Sequence, residues 1–230
     1  ALEIGPPTAE LHVNLSAACI GAGRLEEAVQ ACHDAIKLQP DLAEAHANLA
    51  SALAAQGMVH QAIAAARELV KLKPGLHLAW SNLLFSLNYA DNLSPEAVAA
   101  EHRDWGARLA ALAATDHDNS RDPARRLRIG FISADFCAHS CAFFLKPMFD
   151  AHDPAGVEFV CYSDVVNPDL YTDFLKAKAD HWRVTVGLDD ARVAEMVRAD
   201  KIDVLIDLGG HTSKNRLGVF ARKPAPVQAT

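Results

Sequence analysis

No apolar run in this 230-residue chain approaches the roughly 20 residues that a membrane-spanning helix needs. The opening stretch, ALEIGPPTAE, lacks the charged start and apolar middle of a secretory signal. Basic residues are in the minority: 22 Lys and Arg stand against 29 Asp and Glu, a formal charge of −7, which excludes a surface that holds nucleic acid or anionic membrane non-specifically. Cysteines are few and odd in number (Cys19, Cys32, Cys137, Cys141 and Cys161) and lie scattered through apolar segments, which excludes a disulfide framework and suits reduced thiols. Half of the residues are apolar, enough to bury proper cores in one large or two modest domains, so wholesale disorder is excluded too. The expectation is a soluble, cytoplasmic protein. The missing initial methionine and the stop at PAPVQAT read as the ends of a piece of a longer chain.

What the first half has is a repeat. Ala9–Leu42 (AELHVNLSAACIGAGRLEEAVQACHDAIKLQPDL) lies over Ala43–Leu76 (AEAHANLASALAAQGMVHQAIAAARELVKLKPGL) without a gap, at the 34-residue period of tetratricopeptide units. In each unit an apolar stripe at helical spacing runs to a glycine, Gly23 or Gly57; a second helix then carries Ala28 or Ala62, and Pro40 or Pro74 closes the unit. A third unit starts at His77 and loses the pattern around NYADNLSPEAVAAEH, as a terminal unit does when it faces a different neighbour. Asn14, Asn48 and Asn82 recur one period apart. Asparagine is tolerated on a solvated concave face, but a ladder of amides one repeat apart also offers donors and acceptors to an extended acceptor peptide of any sequence.

The second half alternates strand and helix. After a polar stretch, expected to be a linker over 114–126, apolar β-branched runs at Leu127–Ser133, Val157–Ser163, Arg183–Val186 and Ile202–Leu208 alternate with helical patterns at about Cys141–Ala151, Leu170–His181 and Ala191–Ala199. Such alternation implies a doubly wound parallel sheet with helices on both faces. The domain plan is therefore an α-helical tetratricopeptide solenoid over 8–113 followed by a Rossmann-like α/β lobe over 127–230. Ligands of these sheets sit beyond the carboxyl ends of the strands, where Ser133–Ser140 and Gly209-Gly210-His211-Thr212 leave the first and last runs.

The first of these loops holds DFCAHSC, Asp135–Cys141. Cys137, His139 and Cys141 offer three metal ligands where zinc needs about four, and no second CxxC or HxxxH pair completes a structural site. Cys-x-x-x-Cys is one residue too long for a thioredoxin-like pair, so the cysteines read as small apolar residues packing the turn. His139 either caps the loop or serves proton transfer at neutral pH, and His211, behind two glycines that let backbone approach a ligand, is placed alike. Asp207 reads as a buried partner or a strand-end carboxylate, the second being favoured. Arg216, Arg222 and Lys223 form a local basic cluster, either a solvated helix face or an attraction for anionic groups.

With these motifs in hand, the chain resembles the nucleocytoplasmic protein O-glycosyltransferases, that is, the O-GlcNAc transferases and their SPINDLY-type relatives. Repeats with an asparagine ladder, then LRIGFISADFCAHS, VEFVCYS and IDVLIDLGGHTSKNRLGVFARKPAPVQ, carry the likeness over almost the whole length. The resemblance implies a two-lobed GT-B enzyme, inverting and without a metal cofactor, in which a nucleotide sugar meets a Ser or Thr of an acceptor protein. The segment in hand would then be the end of the solenoid plus the amino-terminal lobe, inactive without the second. His139 matches the histidine proposed as base in that family, and Ser140 follows it as in the SPINDLY type. His211 and Thr212 match the SPINDLY-type GHT. The expected site is thus His139 and His211 for catalysis, Ser140, Thr212 and Arg216 for substrate, and Asn14, Asn48 and Asn82 for the acceptor. The donor is expected to be UDP-GlcNAc, or GDP-fucose as in SPINDLY-type fucosyltransferases; a non-enzymatic repeat scaffold is the rival class. Neither nucleic acid nor membrane is an expected partner.

Overall fold

The computed structural model describes residues 8–113 and 116–230, which divide into two compact units with the boundary after Trp105. Among the described residues no helix is long and apolar enough to cross a membrane.

The first unit consists of helical pairs. Its leading helices, α1 (Ala9–Gly21), α3 (Ala43–Ala55) and α5 (His77–Leu87), begin one period apart, as do α2 (Leu25–Leu38) and α4 (Val59–Leu72). Each α-to-α turn within a pair needs one residue in the left-handed region, and Gly23 (φ +73°) and Gly57 (φ +75°) supply it. In the third pair the period puts Asp91 there, a residue not in that conformation, and the turn is rebuilt. The partner helix α6 (Pro95–Leu109) starts two residues late, with Pro95 at its first position and Ser94 Oγ accepting from the Ala97 amide at 3.2 Å. A second repeat-wide device ties each proline turn to the next leading helix. His46 Nε2 lies 2.8 Å from the Pro40 carbonyl and, one period on, Trp80 Nε1 donates to that of Pro74 at 3.0 Å. Ala28 and Ala62 are fully buried; Ala28 packs with Cys19 and Ala52, and Leu49, Leu53, Trp80, Leu83, Leu84 and Leu87 fill the core around Ala62.

The asparagine ladder is uneven. The Asn48 amide nitrogen donates to Ser16 Oγ at 2.8 Å and to the Val13 carbonyl at 3.3 Å, so both its N–H groups staple α3 to α1. Only its oxygen is left for a peptide, which corrects the expectation of three equivalent bidentate rungs. Asn14 is exposed and Asn82 half-buried, and neither side chain makes a hydrogen bond among the described residues.

The second unit is a five-stranded, all-parallel sheet in the order β3-β2-β1-β4-β5, formed by β1 (Leu127–Ser133), β2 (Val157–Ser163), β3 (His181–Val184), β4 (Val204–Asp207) and β5 (Val227–Ala229). Helices α7 (Ser140–Ala151), α8 (Leu170–Lys178), α9 (Asp190–Ala199) and the short α10 (Leu217–Ala221) connect them. Alternate residues of β1 and β2 feed two cores. Phe131 and Phe159 join Phe149 in an aromatic cluster with centroids 5.0–5.4 Å apart, while Ile132, Val160 and Tyr162 face Val193, Val197 and Leu205. Two elements depart from expectation. The third strand lies at 181–184 rather than 183–186, because an edge strand with only Trp182 half-buried carries no alternation to read. The fifth strand, entered through buried Pro224 and Ala225, is three residues long and was not foreseen.

The polar stretch before β1 is fastened to the lobe. Arg125 makes a fork–fork pair with Asp203 (2.7 and 2.5 Å), and the Asn119 amide donates to the same carboxylate at 2.7 Å. Burial works against the charge on Asp203, yet Arg125, the Arg128 amide and Asn119 hold its pKa below the usual carboxylate range.

Candidate active site

In a sheet ordered 3-2-1-4-5 the connections run outward in opposite directions from β1 and β4, which opens a crevice at their carboxyl ends. β1 and β4 are direct neighbours, Ile132 lying opposite Asp207. The loops bearing His139 and His211 therefore leave one edge of the sheet at this switch point. Cys141 Sγ bridges them, 3.6 Å from the Leu208 carbonyl.

The His139 loop is held from the side by α8. Asp169 caps α8 through Oδ1, which accepts from Tyr171 (2.9 Å) and Thr172 (3.0 Å), and its Oδ2 accepts from the Ala138 amide at 2.6 Å. Thr172 Oγ1 donates to the Phe136 carbonyl at 2.7 Å. These amides, those of Thr172 and Ala138 foremost, keep the Asp169 pKa below the usual carboxylate range. His139 is the N-cap of α7: its Nδ1 accepts from the Cys141 amide at a long 3.3 Å and lies 3.8 Å from Asp135 Oδ2, with the side chain 46% exposed. His139 thus fills the capping role read from the sequence while standing on the expected rim of the sheet. Ser140 follows as the first, exposed residue of α7.

The thiols beside this histidine are held protonated. Burial raises the pKa of Cys137 and of Cys141; Asp169 and Asp135 add to it for the first, Asp135 and Asp207 for the second. That opposes a nucleophilic thiolate. Cys137 is half-buried against the aromatic core, in keeping with the packing role read from the sequence.

Of the two readings of Asp207, the buried partner holds and the favoured strand-end carboxylate does not. Asp207 is buried (7% exposed) and accepts from the amides of Gly209 (3.2 Å) and Gly210 (2.6 Å) and from Thr230 Oγ1 (2.7 Å), so it folds the GGHT turn around itself. Gly210 takes φ +54°, which is why glycine stands there. Thr212 is exposed, but its hydroxyl donates to the Gly209 carbonyl at 2.8 Å and leaves only its lone pairs for a ligand. His211 is half-buried on that turn.

Arg216 is the clearest correction. Instead of facing a substrate, its side chain is 14% exposed and all of its donor nitrogens are committed. Nε and one terminal nitrogen grip Asp164 at 2.7 Å each. The other terminal nitrogen reaches the Leu188 carbonyl (2.8 Å) and Asp190 (3.0 Å), and the Thr185 carbonyl accepts at 3.1 Å. Arg222 turns to the Gly218 carbonyl at 2.8 Å, so the basic cluster seen in the sequence is not one anion-attracting face. Sequence reasoning missed Asp135, Asp164, Asp169, Thr172 and Asp190 as parts of the rim. Only the Asp169-x-x-Thr172 spacing, a capping pattern, gave a local hint.

Known proteins share this architecture. Residues 17–57 and 43–75 match tetratricopeptide repeat families, and residues 74–230 match Glycosyl transferase family 41. A protein of Petunia hybrida, named probable UDP-N-acetylglucosamine–peptide N-acetylglucosaminyltransferase SPINDLY, is 40% identical over 153 residues, 64% of this chain and 16% of its own length. The Arabidopsis thaliana protein named SEC, with the same probable activity, is 32% identical over 107 residues, 46% of this chain and 11% of its own. A solved mutant of the Thermobaculum terrenum O-GlcNAc transferase superposes with a TM-score of 0.89 at 37% identity, covering 99% of this chain and 44% of that one. The chain thus spans 16% and 11% of the two plant proteins and 44% of the solved one, and its fold is a tetratricopeptide end followed by the amino-terminal lobe of a GT-B transferase. Since the match starts at the last repeat and continues through both histidine-bearing loops, the chain belongs to glycosyl transferase family 41.

Proposed function

We propose that this chain is part of a protein O-glycosyltransferase that moves GlcNAc from UDP-GlcNAc to Ser or Thr of acceptor proteins, with no metal cofactor, in the cytoplasm. The observation that carries the reading is the pair of loops at the β1/β4 switch point, which put an N-capping imidazole beside a carboxylate, His139 Nδ1 at 3.8 Å from Asp135 Oδ2. An inverting transfer needs a group to relieve the acceptor hydroxyl of its proton and donors for the charge that grows on the leaving diphosphate. Asp135, Asp169 and Asp207 make this rim acidic, and Arg216 is spent inside the lobe, so the edge suits the first task and not the second. Here His139 takes the proton, while Ser140, His211 and Thr212 contact sugar or acceptor. The diphosphate's donors then come from residues outside this lobe, and the chain alone turns over no substrate.

GDP-fucose is the second reading of the donor. It is favoured by the His211-Thr212 motif, which resembles that of the SPINDLY-type fucosyltransferases, whereas the relatives named SPINDLY and SEC both carry UDP-GlcNAc in their names. Incubating the complete protein and a candidate acceptor with each nucleotide sugar separates the readings by intact mass. A HexNAc increment supports the first and a deoxyhexose increment the second. No increment with either leaves the scaffold and sinks both.

For the acceptor groove, Asn14 and Asn82 carry the prediction, because Asn48 is stapled to α1. Changing both to alanine in the complete protein is expected to raise the KM for a protein acceptor about tenfold or more and to leave kcat unchanged. An unchanged KM removes the ladder.

A further inference from the structure

The seven residues DFCAHSC raise the question of a metal, and the fold answers it with a different ligand set from the one the spacing suggests. Asp135, His139 and Cys141 each place one ligand atom within 4.8 Å of the others, the only such trio among the described residues. Cys137 lies outside it, packed toward the aromatic core. Ligand atoms bound to one tetrahedral zinc, with bonds of about 2.0–2.3 Å, sit roughly 3.3–3.8 Å apart. The Asp135 Oδ2 to His139 Nδ1 distance is already 3.8 Å and no pair exceeds 4.8 Å, so closure asks for shortenings of at most about 1.5 Å.

We propose that Asp135 Oδ2, His139 Nδ1 and Cys141 Sγ form a three-ligand site for a borderline divalent cation, zinc above all, at the carboxyl edge between β1 and α7. Carboxylate, imidazole and thiolate together match zinc, whereas calcium and magnesium favour all-oxygen shells. The loop is preorganised, because Asp169 and Thr172 fix its backbone at Ala138 and Phe136. Binding exchanges weak interactions for strong ones. The 3.3 Å contact from the Cys141 amide to Nδ1 and the 3.6 Å contact of Sγ with the Leu208 carbonyl are given up, and the thiol proton passes to solvent as the Zn–S bond forms. His139 is half exposed, so the fourth position stays open to water.

The site requires no metal for transfer. It goes beyond the transferase reading and bears on it in one respect: a zinc ion on Nδ1 withdraws His139 from proton transfer, so micromolar zinc inhibits the enzyme. The test reads binding alone and therefore fails or succeeds independently of that reading. Zinc affinity of this chain is measured by competition with a chromophoric chelator, and cadmium substitution is followed by its thiolate charge-transfer band. Asp135→Asn, His139→Ala and Cys141→Ser are each expected to weaken zinc at least about tenfold, Cys141→Ser to abolish the cadmium band, and Cys137→Ser to change neither. Circular dichroism verifies that each variant is folded, and near-isosteric Asp135→Asn serves if loss of the helix cap disturbs α7. Equal zinc affinity in wild type, Cys141→Ser and Asp135→Asn overturns the proposal, as does a cadmium band that survives Cys141→Ser.

Discussion

Replacing His139 by alanine in the complete enzyme is expected to lower kcat by about 10²- to 10⁴-fold, the range for a lost general base, with KM changed far less. The residue also caps α7, a contact whose loss costs about 1 kcal/mol, so alanine alone confounds chemistry with folding. His139→Asn separates them: asparagine is a better cap than histidine and no base, and it is expected to restore stability but not turnover. Near-normal kcat in His139→Asn ends the assignment. The neighbours of Nδ1 add a second reading of the same experiment. While Nδ1 accepts from the Cys141 amide, the neutral ring carries its proton on Nε2 and can only donate there. If Asp135 closes from 3.8 Å and accepts a hydrogen bond from a proton carried on Nδ1, Nε2 becomes the acceptor that a base requires. Asp135→Asn is therefore expected to lose a substantial part of kcat and to shift the acidic limb of the pH–rate profile. A merely structural role for Asp135 leaves that limb in place.

How much of this was legible depends on the range of the interactions involved. The solenoid was readable because each repeat restates it: the helix starts, the left-handed glycines and the proline turns recur at one period, and the third pair fails to follow where Asp91 replaces the glycine. β1, β2 and β4 were readable because strands buried on both faces are nearly all apolar. β3 was read two residues late and β5 not at all, since edge strands of four and three residues are half solvated and their place is set by pairing with β2 and β4. At the site, the shared edge of the His139 and His211 loops follows from strand–helix alternation alone. Their supports do not. Asp169 reaches Ala138 and Arg216 reaches Asp164 across 31 and 52 residues, and no local pattern encodes such pairings. A basic residue in an acidic chain looks like a ligand contact until its partners are seen.

Those partners make Arg216→Met the most destabilising single change expected in the lobe. The guanidinium binds Asp164 and Asp190, both largely buried, and ties the loop after β2 to the end of β3 and the start of α9 through the Thr185 and Leu188 carbonyls. Burial acts against the arginine's charge, but the two carboxylates hold its pKa above the ordinary value. Removing it takes the guanidinium from both carboxylates and both carbonyls, leaving Asp164, among the described residues, only the Thr185 hydroxyl and the Thr185 carbonyl only the Leu188 amide, a loss of about 3–5 kcal/mol for a broken buried pair. Because the chain has two units, this is to be read locally, as faster amide exchange over β2, α9 and the 185–188 loop, together with a lower melting temperature for the lobe. Arg216→Lys keeps the charge but not the fork, and its cost should fall in between. Adding Asp164→Asn and Asp190→Asn to Arg216→Met should recover part of the loss, since no orphan charge then remains. If Arg216→Met instead leaves exchange and melting unchanged while transfer by the complete enzyme collapses, the arginine is a substrate contact after all, and the rim must open to expose it.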